Sequence, residues 1–158
     1  MDGSKDPVIR KERSSLPRLF FSKQEKDEIM NAIRQAEKNT SGEVRLHLER
    51  MVLGDILEHA KKVFEKLKMD RTAARNGVLI FLGLKNKRFS ILGDKGINDK
   101  VPDGFWNDIV SLMSGYFRDD KFAEGISEGI QLIGEKLKEY FPYRSDDKNE
   151  LSDDISIG

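Results

Sequence analysis

Residues 77–84 read GVLIFLGL, residues 85–87 read KNK, and residues 88–92 read RFSIL. The first stretch is a continuous apolar run bounded by turn signals, the pattern of a strand covered on both faces. A strand of that kind lies in the middle of a layered domain. The polar Lys85-Asn86-Lys87 turn leaves no room for a crossover, so Arg88 to Leu92 must return beside the first strand and antiparallel to it. Gly93-Asp94-Lys95-Gly96 then ends the hairpin.

Working upstream, Glu43 to Arg50 alternates strictly. Val44, Leu46 and Leu48 point one way, and Arg45, His47 and Glu49 the other. Between this strand and the hairpin, Asp55 and Glu58 open a helix whose inner stripe is Ile56, Ala60, Val63, Phe64 and Leu67. A helix joining two strands makes them parallel, with a right-handed crossover. Further upstream, Ser22 and Glu25 form a capping box before a helix with Ile29, Ala32, Ile33 and Ala36 on one face, stopped by Thr40-Ser41-Gly42.

Downstream, a helix is expected from Pro102 or Asp103, burying Phe105, Ile109, Leu112 and Tyr116. A last helix runs from about Lys121 to Tyr140, with Phe122, Ile126, Ile133 and Leu137 inward, and Phe141-Pro142 closes it. Gly125, Gly129 and Gly134 each weaken that helix by roughly 1 kcal/mol relative to alanine, a cost that close packing against the sheet would explain. The order helix, strand, helix, strand, strand, helix, helix predicts an α/β fold. It is a three-layer α/β/α sandwich around a small mixed β-sheet. The domain spans residues 22–142. Residues 1–21 read as a flexible N-terminal tail and residues 143–158 as an acidic flexible C-terminal tail, neither with a periodicity that could add to a core.

Composition narrows the function. The chain has 158 residues, enough for one domain with a core of its own. Its formal net charge is zero, against the basic footprint of a nucleic-acid binder. It has no cysteine, which removes disulfides, thiolate metal sites and cysteine nucleophiles, and only His47 and His59 as imidazoles, which argues against zinc. Neither histidine stands beside a serine in a recognisable nucleophile motif. No apolar stretch has the length of a signal peptide or a membrane span, so the expectation is a cytoplasmic monomer with no membrane partner.

The connectivity brings the starts of the first two strands and the end of the third to one edge of the sheet. Thr40, Ser41, Glu43, Arg75, Asn76, Asp94, Asn98 and Asp99 meet there. Carboxylate and amide oxygens suit Ca²⁺ or Mg²⁺, so Asp94, Asn76, Glu43, Asp99 and Asn98 are the candidate metal ligands. Arg75 is the candidate phosphate binder. Asn76-Gly77 and Asp94-x-Gly96 are also ordinary turn formers. The opposite edge, with Glu49, Arg50, the Gly54 turn and Lys85-Asn86-Lys87, is the one that the rule for parallel strands favours, and it ranks second because its residues read as solvated turns.

The stretches AEKNTSGEVRLHLE (36–49) and RTAARNGVLIFLGLKNKRFSILGDKGI (71–97), the single Trp106 and a glycine-bearing last helix closing on Phe141-Pro142 resemble the TPM domain family, also called the TPM phosphatase domain. The resemblance covers about residues 20 to 142, and GDKGI is nearest to the short soluble bacterial branch of the family. It implies an α/β/α sandwich, divalent-cation binding, and the acid phosphatase activity of a plant thylakoid-lumen branch. Three functions follow as expectations: a Ca²⁺- or Mg²⁺-binding accessory or interaction module with a protein partner, a metal-dependent phosphatase acting on phosphomonoesters, and a metal-free interaction scaffold.

Overall fold

The computed structural model describes residues 13–145, 150–151 and 154–158. Its centre is the strand read first. β2 (Gly77–Gly83) is buried along its whole length. It pairs in parallel with β1 (Glu43–Glu49) and antiparallel with β3 (Arg88–Gly93). The sheet order is β3-β2-β1-β4, where β4 is Ser156–Ile157, running parallel to β1 on its outer side.

The helices divide between the two faces as the side-chain alternation requires. Val44, Leu46 and Leu48 of β1 and Val78, Ile80 and Leu82 of β2 pack with α2 (Lys23–Asn39), α5 (Asn107–Arg118) and α6 (Phe122–Leu137). Leu79 and Phe81 of β2 point to the other face, where Ala60 and Phe64 of α3 (Ile56–Lys66) cover them together with Val52 and Met69. The arrangement is the expected α/β/α sandwich around a mixed sheet. The Ser22–Glu25 capping box is present in both halves, and Asp55 caps α3 by accepting from the Leu57 amide. Among the described residues no helix is long and apolar enough to cross a membrane.

Several details differ from the sequence reading. α5 starts at Asn107 and buries Ile109 and Met113, whereas Leu112 and Tyr116 are only half-buried. The glycines of α6 admit neighbouring helices, not the sheet. A Cβ on Gly129 would lie 2.5 Å from Met113 Sδ, and one on Gly134 would lie 2.9 Å from Ala36 Cα. These glycines bring α6 against α5 and α2.

The described parts of both terminal segments carry structure. Pro17–Phe20 forms a short helix, α1, and Phe20 and Phe21 are buried. Arg13 donates to both carboxylate oxygens of Glu25, at 2.7 and 2.6 Å, and to the Phe20 carbonyl at 2.8 Å. At the other end, β4 widens the expected three strands to four, and Gly158 donates its amide to the Leu48 carbonyl at 2.9 Å. Of the acidic residues of that segment, Asp146, Asp147 and Asp153 lie outside the described residues.

Candidate functional site

The ladder puts Glu43 opposite Gly77. One step past the Val78–Gly93 pair, Asp94 donates its amide to the Gly77 carbonyl at 2.9 Å. Glu43, Gly77 and Asp94 therefore form one row across three strands, and paired residues in a row share a face. Two strand spacings separate the two acids, about 9–10 Å at the backbone. Gly77 adds no side chain between them, and the space above it is taken by the Met69 carbonyl, 3.1 Å from where a Cβ would stand.

Asp94, Arg75, Glu43, Asn76 and Asn98 each have a side-chain partner at this edge. Asp94 is buried, and its carboxylate accepts from Arg75 Nε at 2.7 Å, from Arg75 Nη2 at 2.8 Å and from the Lys95 amide at 2.8 Å. The last bond caps α4 (Lys95–Asn98). The Asp94 carboxylate holds the Arg75 guanidinium above its usual pKa. Glu43 is only 3% exposed, and its Oε1 accepts from the Leu151 amide at 2.6 Å. Asn76, equally buried, donates from Nδ2 to the Ser41 carbonyl at 3.3 Å, and its own carbonyl accepts from the Glu43 amide at 3.2 Å. Asn98 donates its side-chain amide to the Gly93 carbonyl at 2.9 Å, and Asp99 lies exposed at the end of α4.

The neighbouring motif residues join the chain to itself in the same way. Thr40 is buried; its hydroxyl donates to the Phe141 carbonyl and accepts from the Gly42 amide. Gly96 sits so close to Ala74 that a Cβ there would lie 2.2 Å from the Ala74 carbonyl. The edge thus brings Glu43, Asn76 and Asp94 together through the backbone and leaves Asn98 and Asp99 on its solvent side. Its donors are of the hard-cation type. They do not form a preformed cage, since among the described residues no three acidic or imidazole side chains cluster as a metal site would.

A second polar group lies on the α3 face, and the sequence reading passed over it. His47, placed on the polar side of its strand, is only 4% exposed. Its ring stacks on Phe81 with centroids 5.3 Å apart. Nε2 lies 2.8 Å from Glu49 Oε1, and Nδ1 lies 2.9 Å from Ser156 Oγ. An ionised carboxylate can only accept, so Nε2 carries the proton and Nδ1 accepts from the serine hydroxyl. Burial pushes the imidazole below its ordinary pKa, with the Glu49 carboxylate acting in the opposite direction. The strict alternation of β1 could have pointed to His47, but its partner Ser156 lies in a segment without any strand pattern.

The fold is thus a mixed four-stranded sheet between helical layers, an α/β/α sandwich. The TPM domain model matches residues 17–136, and the chain belongs to the TPM domain family. Among solved structures, it is similar to the BA42 protein of the psychrophilic bacterium Bizionia argentinensis. The identity there is 44%, with 92% of this chain and 100% of that chain covered and a TM-score of 0.86. The N-terminal domain of a protein from P. gingivalis has the same fold. It is 21% identical, with 77% of this chain and 78% of that chain covered and a TM-score of 0.62. No protein with a curated description matches this chain.

Proposed function

We propose that this TPM domain is an accessory or interaction module whose acidic sheet edge takes a divalent cation, Ca²⁺ or Mg²⁺. The observation that supports this reading is the row of Glu43 and Asp94, two buried carboxylates on one sheet face, with the Asn76 amide beside them. Hard cations need several oxygen ligands at once, and Asp94, Glu43 and Asn76 would supply them, with Asn98 and Asp99 on the open side. Arg75 now occupies the Asp94 carboxylate, so a cation would compete with the guanidinium and binding would be weak. A phosphatase reading would use the same exchange, because an Arg75 released from Asp94 is free to meet a phosphate.

The test is melting temperature and amide NMR shifts with millimolar Ca²⁺ or Mg²⁺. A cation selective for the native state raises the melting temperature by mass action. Asp94→Ala should abolish the shift. Arg75→Ala should enlarge it by freeing the carboxylate. No shift in the wild type, or an unchanged shift in Asp94→Ala, would overturn the reading. Hydrolysis of p-nitrophenyl phosphate that is lost in Arg75→Ala would favour the phosphatase.

A further inference from the structure

The opposite end of the sheet holds a cavity of about 380 Å³, at the carboxyl end of β2 beside Leu82 and Leu84. This is where the rule for parallel strands places ligands. Four phenyl rings line it: Phe20, Phe89, Phe117 and Phe122. They brace one another edge to face or tilted, Phe89 on Phe117 at 5.0 Å, Phe117 on Phe122 at 5.5 Å and Phe20 on Phe122 at 5.3 Å between centroids. Rings held in this way keep the walls open and apolar. The rings come from α1, β3, α5 and α6, and the cavity depends on all four elements.

The rim differs from the walls. Lys87 and Arg118 stand on it, both exposed, and neither has an ion-pair partner among the described residues. Lys87 adopts a φ of +54° at the hairpin turn, which fixes where its side chain starts. The one acid on the rim, Asp120, lies in the field of Arg13, whose charge it stabilises. The mouth is therefore net cationic over an apolar interior. Ligand sites of this size are mostly apolar, with a few placed polar groups that set orientation.

We propose that this cavity binds a small amphipathic carboxylate, its apolar part among the phenyl rings and its carboxylate at Lys87 and Arg118. Free phosphate would leave the rings unused, and a neutral hydrocarbon would leave both cations unused.

The experiment is an NMR titration of the full-length protein with decanoate below its micelle concentration and, in a second arm, phenylpropanoate. Saturable shifts at the rings of Phe89, Phe117 and Phe122 are expected with one or both, and the tighter ligand distinguishes an acyl from an aryl acid. The double variant Lys87→Ala/Arg118→Ala, altered only at exposed positions, should bind about tenfold more weakly. Decanol should bind the wild type no better than decanoate binds the double variant. Absence of saturable shifts, equal binding of decanol and decanoate, or binding unaffected by the double variant would each overturn the proposal.

Discussion

Arg75 meets the Asp94 carboxylate with both a guanidinium Nε and an Nη, and it does so from a left-handed backbone conformation, φ +51°. That region is unfavourable for residues with a Cβ, and glycine enters it freely. The Arg75 carbonyl also accepts from the Gly96 amide, which fixes the loop from its other side. The side chain thus holds an ion pair at a position where the backbone alone would prefer glycine.

Arg75→Ala and Arg75→Gly separate these two contributions. Both lose the contact to Asp94, but only the alanine variant retains the backbone strain. Arg75→Gly should melt at a higher temperature than Arg75→Ala, although glycine loosens the unfolded chain. The reverse order in thermal melts would show that the left-handed turn carries no strain at this position.

Glycine positions in the helices make a ranking. Gly134 faces the Ala36 backbone, which cannot move aside, and its replacement by alanine should destabilise the protein by about 1–3 kcal/mol through overpacking. Gly115 in α5 has open space, its nearest neighbour being Arg118 Nη2 at 4.0 Å. Gly115→Ala should therefore stabilise by up to about 1 kcal/mol, the gain in helix propensity. Urea denaturation of the two variants tests the order.

Phe21 is 2% exposed and packs edge-on against Phe20 at 4.8 Å between centroids. Phe21→Ala should cost about 3–5 kcal/mol, as for a core phenylalanine. Leu19, on the same short segment and 58% exposed, should tolerate alanine within about 0.5 kcal/mol. Equal effects in denaturant unfolding would mean that residues 17–21 are not docked in solution.

The layers of this fold were legible because they rest on periodicity. The apolar run of β2, the alternation of β1 and the capping box of α2 each require only neighbouring residues. Phe20 and Phe21 escaped because two adjacent rings have no period, and β4 because two residues, Ser156 and Ile157, are too few to show one. Its pairing with His47 and Leu48 depends on a contact more than a hundred residues away in sequence. Topology put Glu43, Asn76 and Asp94 at one edge of the sheet. It could not say that Leu151 and Arg75 would occupy the two carboxylates, since that follows from side-chain geometry. The phenyl-lined cavity was missed for a related reason: its rings come from four elements, and each ring alone reads as core.

His47 supplies the pH prediction. Its folded pKa lies below the ordinary imidazole value of 6.5 because burial disfavours the charged ring. The folded state then binds fewer protons than the unfolded state, so stability rises with pH across the interval between the two values. The contribution is fully present above 6.5 and is lost as pH falls from there through the folded pKa. The groups acting on the ring are Glu49, which favours the charge, and Arg45 and Lys66, which oppose it. Melting temperature measured from about pH 8 down to about pH 5 should fall more steeply in the wild type than in His47→Gln. The difference between the two curves isolates the His47 imidazole, because every other group is common to both proteins. Removing residues 154–158 takes away the Ser156 hydroxyl and uncovers the outer side of β1, so the ring should titrate nearer its ordinary value by NMR. Parallel melting curves for wild type and His47→Gln would show that the imidazole is not held neutral by burial.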